Sequence, residues 1–137
     1  MAGITAALLL PREWPDSVRR PLAIVGLLLA VLGIGLAIWA FRSLGPSFTP
    51  YTTPPERAAR VESGPYRVVR HPMYGGILLF FVGLSLAFSI TALCVTLALA
   101  LLWRAKSAVE EGELLARFPD YGSYRARTPH RFFPWLY

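Results

Sequence analysis

Two groups of polar residues, separated by an apolar stretch, carry the side chains needed to bind a small polar molecule. The first is the basic, ring-rich run 64–76, which contains the triplet Arg-His-Pro and leads into a stretch without charge. The second is the acidic pair Glu110 and Glu111. Polar groups pressed against a membrane segment are costly unless they have a function. The sequence therefore predicts a site at a membrane surface, where a polar cofactor meets an apolar substrate.

The composition is typical of a membrane protein. The 137 residues are enough for one domain, 55% of them are hydrophobic and only 16% are charged. Most of the basic residues behind the net charge of +6 lie between or after the apolar stretches, as expected beside anionic headgroups. No basic amphipathic domain is left for binding nucleic acid. The single cysteine, Cys94, cannot form an internal disulfide, and without metal-ligand spacing we expect no metal.

The apolar stretches predict an all-α integral membrane protein with about three transmembrane helices. Residues 22–41 are uncharged and long enough to cross a bilayer. Residues 74–103 are too long for one upright helix and predict a helical hairpin that turns near Ser85 to Thr91. Residues 3–10 are apolar but short, which indicates an N-terminal helix at the interface or the remainder of a full span.

The positions of Lys and Arg predict the orientation. The loop 42–73, which holds the first polar run, and the helix and tail 104–137 carry more Lys and Arg than the N-terminal segment. An excess of these residues marks the cytoplasmic side of a membrane protein. We therefore expect the chain, 1–137, to be a single domain in the inner membrane, with its active site and its C-terminal cofactor-binding tail facing the cytosol.

The two polar motifs together resemble a known family. The run G-P-Y-R-x-x-R-H-P-x-Y-x-G is followed by an apolar hairpin, the E-E pair, F-x-x-Y-x-x-Y and a closing P-x-R-F-x-P. Over residues 45–134 this pattern resembles the isoprenylcysteine carboxyl methyltransferase family and its bacterial relatives, and phospholipid methyltransferases look similar over the same region. The resemblance implies a membrane enzyme that transfers a methyl group from S-adenosylmethionine to a lipophilic acceptor, above all a carboxylate such as that of an isoprenylcysteine.

This resemblance also implies the roles of the polar residues. Arg70, or the backbone N–H groups around Pro72, would bind the carboxylate of the cofactor. Glu110 or Glu111 would bind its ammonium group or its ribose hydroxyls. A carboxylate acceptor needs no general base, whereas an amine or thiol would need His71 or a glutamate. The expected catalytic residues are Arg70, His71 and Glu110, and the expected cofactor-binding residues are Gly64, Tyr66, Arg70, His71, Pro72, Tyr74, Glu110, Glu111, Tyr121, Tyr124 and Arg131.

Each candidate residue also has a purely structural interpretation. His71 is suited to cap a helix, and Arg70 is suited to reach lipid phosphates from an apolar segment. Glu110 and Glu111 are typical of a solvated helix face. The tyrosines are typical of an interfacial aromatic belt.

Other functions remain open as alternatives. The chain is also consistent with a phospholipid or small-molecule N- or S-methyltransferase, and with an NADPH-dependent reductase, because membrane sterol reductases look similar in their C-terminal core. A non-catalytic membrane subunit would leave the polar groups without a role. The expected partners are the lipid bilayer and a lipophilic substrate. We also predict a homo-oligomer, in which Gly26, Gly33 and Gly35 let the 22–41 helices of two copies approach closely.

Overall fold

The computed structural model describes residues 14–48 and 61–135, which form helices joined by short turns. The prediction of an all-α architecture is confirmed for this part of the chain, and the predicted helix at 3–10 lies outside it. In chain order the elements are α1 (Asp16–Leu44), a 3₁₀ turn (Gly45–Ser47), a second 3₁₀ turn (Gly64–Arg67), α2 (Pro72–Phe88), α3 (Ala92–Arg117) and α4 (Tyr121–Arg127).

Within residues 14–48 and 61–135, two helical segments are long and apolar enough to cross a membrane. They are Asp16–Ser47, which contains α1 and the predicted span 22–41, and Ala92–Arg117, which is α3. Helix α2 is apolar, but its 17 residues extend only about 26 Å, less than the roughly 30 Å of a hydrocarbon core. The sequence predicted about three spans. In the described part of the chain, two helical segments are long enough to cross a hydrocarbon core and α2 is not.

Helices α2 and α3 are the two arms of the predicted hairpin. The chain turns at residues 89–91, inside the predicted range, although the turn has no glycine or proline. Hydroxyl groups stabilise the turn instead. The Ser89 and Thr91 hydroxyl oxygens lie 2.6 Å apart, and Ser89 Oγ accepts a hydrogen bond from the Thr91 backbone N–H at 3.2 Å. The second arm continues as helix beyond Trp103 to Arg117, as predicted.

The chain divides into two compact units. The first consists of Met1–Gly35 and Gly76–Leu102, and the second of Leu36–Gly75 and Trp103–Tyr137, each described only in the ranges given above. All the site residues that the sequence predicted belong to the second unit.

Small residues let α1 and α2 pack closely within the first unit. A Cβ atom at Gly26 would collide with the backbone of Gly83, and one at Gly33 with the backbone of Phe80. The prediction that Gly26 and Gly33 pack between two copies is therefore wrong, because α2 of the same chain already occupies that space. Gly35 has open space around it. Self-association itself stays a prediction.

A pair of hydroxyl groups joins the two arms of the hairpin in the first unit. Ser85 Oγ and Thr96 Oγ1 lie 2.9 Å apart and are buried. Each oxygen also lies near a carbonyl oxygen of its own helix, Ser85 Oγ 2.8 Å from Phe81 O and Thr96 Oγ1 3.1 Å from Ala92 O, so one hydroxyl donates to its carbonyl and accepts the proton of the other. Because buried polar groups need partners, this pair favours one register of α2 against α3.

We predict that two glycines of α1 respond differently to the same substitution. Gly33→Ala places a Cβ atom where the backbone of Phe80 lies, so we expect a loss of about 1–3 kcal/mol in the free energy of unfolding. Gly35→Ala places it in open space and reduces the freedom of the unfolded chain, so we expect equal or greater stability. Thermal unfolding of the full chain in detergent measures both. Equal shifts in melting temperature would contradict the close packing of α1 on α2.

Candidate active site

The local backbone presents Arg70 and His71 directly before a helix. Gly64 begins the turn Gly64–Arg67 with φ of 59°, in the left-handed region that glycine adopts without strain. Pro72 is the first residue of α2, where its missing N–H is not needed and its fixed φ suits the helix. The sequence predicted that a helix starts at Pro72. This start places Arg70 and His71 at the end of the loop, directly before α2.

The carboxylate of Glu111 is the centre of the site. Its side chain is only 3% exposed and belongs to the polar end of α3. Arg70 Nε donates to Oε1 at 2.8 Å, and Arg131 donates through Nε and Nη2 to the two oxygens, each at 3.2 Å. His71 Nε2 lies 3.1 Å from Oε1. A buried carboxylate requires such partners, and they come from two other parts of the chain.

Backbone hydrogen bonds fasten the C-terminal segment to the loop. The N–H of Arg70 donates to the carbonyl of His130 at 3.0 Å, and the N–H of His71 donates to that of Arg131 at 2.8 Å. Arg70 Nη1 also donates to the carbonyl oxygens of residues 128–129. The sequence predicted exposed N–H groups at the start of α2, but the N–H groups of Arg70 and His71 are occupied by the chain itself.

Glu110 faces the other nitrogen of His71 and has fewer partners than Glu111. Its Oε2 lies 3.7 Å from His71 Nδ1, so each ring nitrogen faces a carboxylate. Its Oε1 accepts from the Tyr74 hydroxyl at 2.7 Å and lies 3.8 Å from Lys106 Nζ. Both oxygens of Glu111 accept hydrogen bonds, whereas Oε2 of Glu110 accepts none within the described residues. Of the two acids, Glu110 is therefore the one with an oxygen that accepts no hydrogen bond in the described part of the chain.

Aromatic rings line the site beside Glu110. The rings of His71 and Tyr74 are 5.7 Å apart and 9° from parallel, and those of Tyr74 and Trp103 are 6.0 Å apart and 5° from parallel. Phe132 meets His71 and Tyr74 edge-on. Lys106 Nζ lies 5.7 Å from the centre of the Tyr74 ring, which shows that this ring can hold a cation.

Three of these residues were absent from the sequence-based prediction. Trp103, Lys106 and Phe132 join the site because distant segments fold together in the second unit. Two of them had a sequence signal. Lys106 has i,i+4 spacing from the first acid of the pair, and Phe132 is the phenylalanine of the closing P-x-R-F-x-P motif.

The other predicted aromatic residues stabilise the unit from within. Tyr121 and Tyr124 of α4 are 2% and 4% exposed, and the Tyr124 hydroxyl donates to the carbonyl of Tyr66 at 2.7 Å. Burial raises the pKa of Tyr66 and of Tyr121 above the usual value for a phenol, so both stay protonated at neutral pH. Gly64 lies against Ser43, which a Cβ atom at that position would contact.

A cleft of about 230 Å³ adjoins the Glu111 cluster and is lined by Arg70, Arg125, Pro129 and Arg131. Arg125 Nε lies 4.0 Å from Glu111 Oε2. Pockets that enclose a whole drug-sized ligand usually measure about 300–1,000 Å³. The cleft therefore suits one charged group of a ligand, and its three guanidinium groups favour an anionic one.

We predict that Glu111→Gln destabilises the second unit and that Glu113→Gln does not. Loss of the Glu111 charge leaves two arginines without their buried partner, at a cost of about 3–5 kcal/mol, whereas Glu113 on the same helix is exposed. Hydrogen exchange of the Arg70 and His71 amides, which bond to the tail, measures the effect. Unchanged protection of these amides in Glu111→Gln would contradict the central role of this carboxylate.

Comparisons with solved structures identify a similar membrane enzyme. The eukaryotic intramembrane Ras methyltransferase ICMT, isoprenylcysteine carboxyl methyltransferase, superposes with a TM-score of 0.75 and 25% sequence identity. The match covers 84% of this chain and 43% of that one. The all-helical fold is therefore that of a membrane methyltransferase.

Comparisons of sequence find two curated relatives and one family. The cobalt-zinc-cadmium resistance protein CzcN of Cupriavidus metallidurans is 40% identical over 79 residues, and the nickel-cobalt-cadmium resistance protein NccN of Alcaligenes xylosoxydans xylosoxydans is 41% identical over 78. Each match covers 56% of this chain and 36% of the relative, so the chain spans little more than a third of their length. Residues 22–120 match the model of one family, which is well over half of the chain, and the chain therefore belongs to the phospholipid methyltransferase family.

Proposed function

We propose that the chain is a membrane methyltransferase that uses S-adenosylmethionine and methylates a lipophilic acceptor, above all a carboxylate such as that of an isoprenylcysteine. Membership of the family supports methyl transfer, and the two long apolar segments support a location in a membrane. The observation that carries the proposal is the pair of carboxylates on either side of His71, of which Glu111 is saturated and Glu110 is available.

The residues of the site fit the charges of this cofactor. When bound, S-adenosylmethionine supplies an electrophilic methyl group on a sulfonium, and it also carries an ammonium group and a carboxylate. Glu110 offers an anion to a cation, beside a Tyr74 ring that already lies 5.7 Å from Lys106 Nζ. Arg70 and Arg131 offer positive charge to a carboxylate. Methyl transfer depends mainly on positioning and on preorganised charge, which such a site provides.

The contacts distinguish the roles of the predicted catalytic residues. Glu110 is the proposed catalytic contact with the cationic part of the cofactor. Arg70 and His71 are proposed to position it, because Arg70 holds the tail and His71 separates the two acids. Glu111 is proposed to organise the site instead of binding the ammonium group, because both of its oxygens already accept hydrogen bonds.

The charge of the site favours an anionic acceptor. Four positive side chains surround two carboxylates, an excess of two positive charges before His71 is counted. This excess attracts a carboxylate, which also needs no proton acceptor. An amine or a thiol is the alternative acceptor, and it would need a base such as Glu110. The positive side chains are Arg70, Lys106, Arg125 and Arg131, and the carboxylates are Glu110 and Glu111.

We predict micromolar binding of S-adenosylhomocysteine, the demethylated product, to the full chain in detergent. Glu110→Gln should weaken it by about tenfold or more, because a charge-assisted contact is lost. Glu113→Gln is the matched control on the exposed side of the same helix and should bind normally. Calorimetric titration measures the affinity, with NADPH as the comparison ligand. Saturable NADPH binding without any response to S-adenosylhomocysteine would overturn the methyltransferase in favour of the reductase.

We also propose that the chain lies in the inner membrane and that loop 42–73 and tail 104–137 face the cytosol. In a Cys94→Ser background, a thiol introduced at Ser63 or at Ser123, both exposed, should resist an impermeant reagent added to intact cells. Both thiols should react after the cells are opened, which controls for accessibility. Labelling of either thiol in intact cells would contradict this topology.

A further inference from the structure

Trp135 of the C-terminal tail is the most exposed large apolar residue among those that the structure describes. Its exposed fraction is 91%, whereas the next, Val31 of α1, reaches 67%. Val31 lies in a segment that can face lipid, but Trp135 lies beyond the last helix, α4. A tryptophan left in water exposes a large ring whose burial is favourable. We therefore expect this ring to have a partner outside the described chain.

The backbone conformation of Trp135 is also unusual. Its φ is 67°, and it is the one non-glycine residue with a positive φ in the described ranges. A bulky residue is disfavoured in this left-handed region, and such a conformation persists where the surroundings compensate for it. The ring of His130 lies 6.1 Å from that of Trp135, at 46°. This contact leaves most of the indole exposed, so burial against another surface would supply the compensation.

The residue three positions before Trp135 lies where the hairpin changes from apolar to polar. Trp103 ends the uncharged stretch of the hairpin, and its ring stacks on that of Tyr74 at 6.0 Å. The ring of Phe132 meets Tyr74 edge-on at 6.3 Å. A Cβ atom at Gly75 would collide with the carbonyl oxygen of Phe132. The tail therefore passes the first turn of α2 at the level where this apolar helix begins.

The length of chain between Phe132 and Trp135 keeps the indole near that level. Three residues span at most about 11 Å when fully extended. Residues 134–135 form a turn, which shortens the distance. The polar interfacial layer of a bilayer is about 5–8 Å thick on each side of the hydrocarbon core. A tryptophan side chain on so short a tether reaches this layer from the beginning of α2.

We propose that Trp135 inserts into the interfacial layer of the lipid bilayer and anchors the C-terminal tail there. Tryptophan is enriched in this layer because its ring is apolar while its N–H group can still bond to water or headgroups. Residues 132–137 carry no charged side chain that would oppose insertion. The partner of the exposed indole is thus the membrane in which the helices of the same chain lie.

An anchor at Trp135 holds the tail against the loop. The carbonyl oxygens of His130 and Arg131 accept hydrogen bonds from the backbone N–H groups of Arg70 and His71. Fixing the segment that follows them reduces the local opening through which these hydrogen bonds break. The inference rests on a location in a membrane and not on methyl transfer, because none of these contacts requires a cofactor or an acceptor.

The test is tryptophan fluorescence of the full chain in phosphatidylcholine nanodiscs whose acyl chains carry bromine, a quencher, close to the headgroup. The difference between the wild-type chain and Trp135→Phe isolates the emission of this residue. We expect brominated lipid to remove most of this emission, and bromine near the chain ends to remove less, because the interfacial layer is shallow. Acrylamide, a quencher in water, should act on Trp135 more weakly than on N-acetyltryptophanamide.

The matched control is a tryptophan introduced at Ser123 in the Trp135→Phe background. Ser123 is exposed on α4, and a tryptophan there should respond to acrylamide and not to brominated lipid. Equal quenching by brominated lipid at both positions would overturn the proposal. Protection of Trp135 from acrylamide without quenching by bromine would also overturn it, in favour of contact with another protein surface.

Hydrogen exchange in the same nanodiscs tests whether the anchor holds the tail. Trp135→Ser should speed exchange of the Arg70 and His71 amides by about tenfold, because the segment that accepts their hydrogen bonds opens more often. Unchanged exchange would contradict an anchoring role. Binding of S-adenosylhomocysteine is a separate measurement, so its absence would overturn the proposed function and leave the result for Trp135 intact.

Discussion

The buried carboxylate of Glu111 is the interaction on which the rest of the second unit depends. A charge that is almost fully removed from water is tolerated only with close partners of opposite sign and satisfied hydrogen bonds. Arg70, His71 and Arg131 supply them from the loop and from the tail. Their meeting at one helix residue fixes where α3, the loop and the C-terminal segment lie within the unit, and Arg70 extends this order to the tail carbonyls.

Helix geometry explains how two adjacent acids come to differ. Neighbouring residues on an α-helix point about 100° apart, so Glu110 and Glu111 cannot share one environment. His71 lies between them, with one ring nitrogen toward each. Both oxygens of Glu111 accept hydrogen bonds from the chain. Glu110 lies beside aromatic rings, and only its Oε1 accepts a hydrogen bond within the described residues. Glu111 thus holds the site together, and Glu110 is the acid that we propose binds a ligand.

Most of the fold followed from local patterns. Uncharged stretches of suitable length determined the helices, hydroxyl residues marked the hairpin turn, and proline marked the start of α2. These signals are local because hydrophobic length and the missing N–H of proline act on the segment that contains them. Gly26 and Gly33 of α1 were recognised as packing residues for the same reason. Their partner was not recognised, because a surface of small residues suits a helix of the same chain as well as one of another copy.

The sequence determined which residue types form the site, and only the tertiary structure decided which partners each of them contacts. The motifs named Arg70, His71, Glu110 and Arg131, which all lie in one cluster. They did not show which acid is saturated, nor that Trp103 and Phe132 line the site. The hydrogen bonds and ring contacts of a side chain depend on which distant segments fold against it. Residue type limits what a group can bind, but only the folded chain decides which of those partners it meets.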